Sequence, residues 1–300
     1  MNTARQKGEK RMNIFKMIAA VKQFIKNWFK LSADIAHENY ETNWQPEWSK
    51  FLHQKVHFYR DLSTEDQLCF EQRCLLFLET TRVEGSQDVT VTDNDKLLVA
   101  ASAIIPVWGF SGWHYFNIES VILLPDRFND KYQYGMPDSR ISGMVGSGVM
   151  SGKMVLSKPD LYQGFENSRD KQNVGIHEFV HLIDMADGQC DGFPESVAKF
   201  EYCAPWFDFV QHKINDIELG KSNINDYATT NNAEFFAVSS EYFFERPKLL
   251  KRKHPKLYAY LSDFYQQNLA EINADLAPKK NQPCPCGSGK KYKHCCMPKS

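Results

Sequence analysis

Three observations predict an α+β fold for this 300-residue chain. Short apolar or alternating runs lie in its first half, helical periodicity dominates its second half, and no segment repeats. At 42% hydrophobic and 24% charged residues the composition is that of an ordinary globular protein, long enough to bury a sizeable core. The formal net charge of -1 argues against a general polyanion binder.

Residues 12 to 30 carry Ile14, Met17, Ile18, Val21, Phe24, Ile25, Trp28 and Phe29 at helical spacing with lysines between them. This reads as a basic amphipathic helix, able to lie on an anionic membrane or to dock on protein. Ser63 and Asp66 resemble a capping box opening a helix that runs to about Leu78. Val89 and Val91 alternate with polar residues as in a strand, residues 94 to 105 read as a buried helix, and Ser120 to Leu124 reads as a second strand. The Gly- and Ser-rich residues 142 to 152 predict a turn or loop beside the next strand, and the spacing predicts helices near 172 to 187, 195 to 215, 231 to 245 and 255 to 270. Ala277 to Pro283, rich in Pro, Lys and Asn, reads as a linker. These signals divide the chain into a basic helix (1–39), a main domain (40–275), a linker (276–282) and a small tail (283–300).

The N-terminal apolar residues are broken by lysine too often to form a secretory signal or the roughly 18 apolar residues of a membrane span. The cysteines are unevenly placed: Cys284, Cys286, Cys295 and Cys296 crowd the tail, whereas Cys69, Cys74, Cys190 and Cys203 are scattered. That pattern points to metal binding in a reducing cytoplasm, with the scattered four as buried thiols.

The chemistry concentrates in His177-Glu178-Phe179-Val180-His181. Two histidines four apart project from one helical face and can reach a single zinc ion. Glu178 faces nearly the same way and can take a proton from zinc-bound water and pass it to a leaving amine. Asp184, seven residues after His177, is expected to accept the second ring hydrogen of a ligand histidine. Gly188 or Gly192 can turn the chain after the helix. Catalytic zinc needs a third protein ligand. Position 184 is Asp rather than Gly and 187 is Asp rather than His, so a downstream carboxylate is expected. Glu234 is the best candidate, since an acid inside Ala233-Glu234-Phe235-Phe236-Ala237-Val238 is costly unless paired or bound to metal. Glu241, two turns on, is the second choice, with a hydrogen-bonding role beside the metal ranked ahead of direct ligation.

Asp184-Met185-Ala186-Asp187-Gly188, Gly192-Phe193-Pro194, Asp226-Tyr227-Ala228 and Ser240-Glu241-Tyr242-Phe243-Phe244, with Val121 to Pro125 and Ser151 to Ser157, resemble the Mlc titration factor A (MtfA) family of zinc peptidases over residues 40 to 270. The resemblance implies a zincin-like domain of the gluzincin type, with His177, His181 and Glu234 on zinc and Glu178 as general base. It also implies that Tyr227 stabilises the oxyanion. Family members are associated with aminopeptidase-like activity on peptides and with binding a transcriptional repressor.

In the tail, four thiols in two close pairs around Gly287-Ser288-Gly289-Lys290-Lys291-Tyr292 can close a structural zinc site. This run resembles the SEC-C motif, which implies a second zinc on Cys284, Cys286, Cys295 and Cys296. By the same resemblance, Lys290, Lys291 and Lys293 would present a basic surface to a protein partner or ribosome. The leading expectation is a zinc peptidase with a docking tail. The rival is a regulatory protein that sequesters a repressor, and a weaker third idea assigns the basic ends to nucleic acid.

Overall fold

The computed structural model describes residues 43–110, 112–146, 148–167, 170–194 and 203–271, together with Asn281 and Lys291. The chain divides into two units, Met1–Trp44 and Gln45–Ser300, and every element below belongs to the second. The expected basic N-terminal helix and the four tail cysteines lie outside the described residues.

Four strands form one sheet: β1 (Arg82–Gly85), β2 (Ser120–Leu124), β3 (Gly143–Val145) and β4 (Lys153–Ser157), in the order β1-β2-β4-β3. β1, β2 and β4 run parallel, and β3 lies antiparallel on the edge beside β4. In β2, Val121 and Leu123 are fully buried and Ser120 and Leu124 nearly so, which is why its sequence is an uninterrupted apolar run rather than an alternation.

Helices α1 (Pro46–Lys55), α2 (His57–Arg60) and α3 (Thr64–Thr80) precede the sheet. The Asp66 N–H donates to Ser63 Oγ (3.1 Å), so α3 begins where the sequence predicts. α4 (Asp93–Ile104) opens with a full capping box between Thr92 and Asp95 and is buried from Leu97 to its end. α5 (Lys158–Glu166) leaves β4 directly, and α6 (Val174–Asp184) carries the His-Glu-Phe-Val-His run. α7 (Cys203–Glu218), α8 (Asn232–Glu245), α9 (Pro247–Lys253) and α10 (Pro255–Tyr265) complete the described helices. Sheet and helices together make a mixed α+β domain, as predicted. Among the described residues no helix is long and apolar enough to cross a membrane.

Two sequence expectations fail here, the second in part. Val89 and Val91 form no strand, because Val89 N–H closes a turn onto Ser86 and folds the chain back against Gly85. The strand in that region is β1, whose largely exposed Arg82 and Glu84 hide any apolar signal, and pairing with β2 fixes it in place. The Gly- and Ser-rich stretch does hold a turn, at Gly148–Met150 just before β4, but its first residues form β3, since pairing with β4 overrides the weak strand propensity of glycine.

Helix α6 is enclosed. Ile176, Phe179, Val180, Leu182 and Ile183 are each at most 1% exposed, packed among α4, α8 and the sheet. α8 is equally immersed, with Phe235, Phe236 and Phe243 fully buried against an aromatic cluster that includes Trp206 and Phe264. Two helices without a solvent-facing stripe hold whatever they carry in fixed positions. α4 and α6 approach so closely that a Cβ added at Gly175 would fall 2.1 Å from Ser102 Oγ. Gly175→Ala is therefore expected to lower stability by about 1–3 kcal/mol through overpacking. Ser102→Gly should restore most of that loss in the double variant, as measured by thermal unfolding.

Candidate metal centre

His177 and His181 lie one turn apart on α6, and Glu234 stands in the first turn of α8, the helix packed beside it. Asn231 caps α8, its side chain accepting from the Glu234 N–H at 2.9 Å, which fixes where that carboxylate emerges. His177 Nε2 lies 3.0 Å from Glu234 Oε2 and 3.1 Å from His181 Nε2, and His181 Nε2 lies 3.6 Å from the same oxygen. Ligand atoms about 2.1 Å from a tetrahedral zinc would be roughly 3.4 Å apart, so the three atoms fit one ion. They are also the one set of three such groups found among the described residues that could hold a metal.

The opposite edge of the His177 ring is anchored. Nδ1–H donates to Glu241 Oε1 at 2.7 Å, which turns Nε2 toward His181 and Glu234. Glu241 thus occupies the hydrogen-bonding place that the sequence ranked first for it. Burial opposes a charge on His177, but the Glu241, Glu234 and Glu178 carboxylates outweigh it and hold the imidazole well above its ordinary value. Burial also opposes the charge on Glu234, and here the two imidazoles prevail, holding it down at about 2. The cluster therefore favours a positive charge at its centre.

Glu178 is 5% exposed, and burial pushes its carboxyl up, against the pull of the two histidines. β3 presses on it: a Cβ at Gly143 would come within 2.6 Å of Glu178 Oε1, so only glycine leaves room for the carboxyl there. Tyr227, in the 3-10 turn Asp226–Thr229, is 55% exposed with its ring centroid 6.1 Å from that of His177. Two limbs of a cleft meet at Gly143, His177, Glu178 and Tyr227, with cavity volumes of about 450 and 560 Å³. A third cavity of about 360 Å³ beside α2 and α9 contains none of the three clustered residues.

Two expectations require correction. Asp184 makes no hydrogen bond to either histidine: it lies about 10 Å along the helix from His177, and His181 Nδ1 faces Cys190 Sγ at 3.9 Å. α8, running alongside, supplies Glu241 instead. Asp184 is fully buried and accepts the Gly192 N–H at 2.9 Å, fixing the turn that follows α6. Gly192 itself has φ +81°, and a Cβ there would lie 2.3 Å from Asn232 O, so this turn requires glycine. Gly188, φ +98°, ends the preceding 3-10 turn, as expected of it. Secondly, Cys190 is exposed rather than buried, its Sγ 3.9 Å from His181 Nδ1, and Cys69 is exposed as well, whereas Cys74 is buried as expected.

The sequence reading missed Gly143 and Asn173. No signal distinguishes Gly143 among its neighbouring glycines, whereas Asn173 carries the ordinary mark of an N-cap, an Asn immediately before an apolar helical run.

Residues 31–266 match the family described as glucose-regulated metallo-peptidase M90, and residues 281–298 match the SEC-C motif. An uncharacterized protein of Synechocystis is 29% identical over 230 residues, covering 73% of this chain and 83% of the relative. Mlc titration factor A of Yersinia pestis is 34% identical over 221 residues (68% and 81%), and that of Escherichia fergusonii 28% over 251 residues (79% and 93%).

Burial pushes Asp184 from 3.8 up to about 6, against the pull of the Gly192 N–H. The folded-state value lies above the unfolded one, so this contribution to stability is complete below about pH 4 and is lost as pH rises through about 6. Asp184→Asn, which keeps an acceptor for Gly192, is expected to remove that fall, of up to roughly 3 kcal/mol. Urea unfolding of both proteins at pH 4 and pH 7, in the presence of chelator, measures the difference.

Proposed function

This chain belongs to the glucose-regulated metallo-peptidase M90 family, and from that premise we propose that it is a zinc-dependent, zincin-like peptidase of aminopeptidase-like scope. His177, His181 and Glu234 would hold the metal. The observation that carries this reading is the convergence of three ligand atoms on one point in a cleft, with Glu178 beside them. The aminopeptidase-like preference rests on the family resemblance.

When bound, the zinc supplies Lewis acidity, lowering the pKa of a water and polarising the scissile carbonyl. Glu178, held against Gly143, takes the proton from the attacking water and delivers it to the departing amine nitrogen. Burial raises its pKa, which favours the uptake of the water's proton that this role requires. Tyr227, at the mouth of the cleft, can turn its phenol toward the carbonyl oxygen and donate a hydrogen bond to the developing charge. Glu241 keeps His177 in the tautomer that offers Nε2.

In the tail, Cys284, Cys286, Cys295 and Cys296 fall within the SEC-C match and would close a second, structural zinc. Four thiolates leave no open position, so the tail is assigned to docking on a protein or ribosome and the setting to the cytoplasm, where thiols stay reduced. A second reading is favoured by the name of the relatives, Mlc titration factor A. On that reading this chain binds and sequesters a transcriptional repressor, and hydrolysis is incidental.

Glu178→Gln is expected to retain its zinc and lose about 10²-fold or more in peptide hydrolysis. Undiminished hydrolysis with zinc in place would sink the mechanism. An intact partner captured equally by wild type and Glu178→Gln would favour the sequestration reading. Truncation after Ala277 is expected to reduce zinc content from two ions per chain to one, measured by elemental analysis.

A further inference from the structure

We propose that Asn173 is a positioning residue for His177, acting through Glu241, with Glu245 steadying its side chain. The inference rests on the metallopeptidase reading above. Asn173 is fully buried and immediately precedes α6, with φ -147° and ψ 96°. Its main-chain N–H donates to Glu241 Oε2 at 2.5 Å, while the other oxygen of that carboxylate holds His177 Nδ1. Its side-chain Oδ1 accepts the Ile176 N–H at 3.0 Å, and its carbonyl accepts the His177 N–H at 2.9 Å. Nδ2 donates to Glu245 Oε1 at 3.4 Å.

One residue therefore fixes three things together: the start of the metal-bearing helix, the main chain of His177, and the carboxylate that orients its ring. The cap explains why this works. Oδ1 on Ile176 holds the extended backbone of Asn173 in the one orientation that aims its N–H at Glu241. Without that anchor the N–H can swing away, which leaves a buried carboxylate oxygen without its donor and frees the ring that depends on it.

The surroundings leave little slack. On one side Gly164 packs so closely that an added Cβ would lie 3.0 Å from Asn173 Cα and Cγ. On the other, Glu241 and Glu245 stand one turn apart on α8, a spacing at which two charged acids repel. Burial pushes Glu245 up to about 8, and the neighbouring Glu241 adds to the shift, which lessens that repulsion. Gly164 lines both the cleft and the separate 360 Å³ cavity, and Glu245 lines the latter.

The test is a double-mutant cycle on the full chain, reading the zinc dissociation constant by chelator competition. Zinc retained by His181→Ala is subtracted as the share held by the tail. Asn173→Ala is expected to weaken zinc about 10-fold, but no more than about 2-fold in a Glu241→Gln background, because the two residues act in series. Asn173→Ser, which keeps a capping oxygen, should return to within about 3-fold of wild type. Glu245→Leu, which leaves the cap intact, should weaken zinc about 3-fold, and Glu245→Gln should reverse this. Equal weakening by Asn173→Ala in both backgrounds would overturn the proposal, as would a lowered Tm with unchanged zinc affinity. If Asn173→Ala does not fold, an unchanged zinc affinity in Glu245→Leu overturns the Glu245 link on its own. A wild-type chain that binds no zinc beyond the tail's share would instead overturn the metallopeptidase premise.

Discussion

The side-by-side packing of α6 and α8 governs everything in the cleft, because it brings Glu234 and Glu241 to opposite nitrogens of the same imidazole. Neither helix could achieve this alone. The spacing along α6 delivers two imidazoles to one face, and a third donor must come from a neighbour whose register is set by core packing. Phe235, Phe236 and Val238 on α8, and Phe179, Val180 and Ile183 on α6, supply that packing. An axial slip of even one residue, about 1.5 Å, would part Glu234 from the histidines.

Burying so many ionisable groups together has an electrostatic cost, and their arrangement shows how it is offset. Three carboxylates and two imidazoles share the wall of one cleft, mostly excluded from water. Each imidazole lowers the cost of the acids beside it, and each acid favours positive charge among the imidazoles. Glu241 is committed to Nδ1 of His177 and to Asn173, so it contributes charge and orientation without entering the cluster. Among the described residues Glu178 makes no such hydrogen bond, and its carboxyl lines the cleft, as a group that moves protons requires.

Glycines complete the arrangement at the points where chain segments touch. Gly175 lets α6 settle on α4, and Gly143 admits the Glu178 carboxyl beneath the edge strand. Gly192, with its positive φ and its N–H on the buried Asp184, brings the turn after α6 hard against the start of α8. Asp184, the acid expected to serve a histidine, serves the backbone instead. It helps set the spacing between the two helices on which the site depends.

The local chemistry was legible in the sequence. His177, Glu178 and His181 are placed by helical periodicity, which is a property of the chain itself. Glu234 was legible because a charge within an apolar helix demands a partner. Helix α4, strand β2 and the start of α3 were readable for the same kind of reason, since capping residues and uninterrupted apolar runs act over a few residues. β1 and β3 were not, because their polar or glycine-rich residues become strands only through pairing with β2 and β4. Nor could the sequence say that Glu241, rather than Asp184, would reach a histidine ring, or that Asn173 would join the helix start to that carboxylate. Those relations run between segments up to 68 residues apart in the chain. Sequence determined which groups the helices would carry, and tertiary packing decided which of them would meet, because only packing fixes one helix against another to within the length of a hydrogen bond.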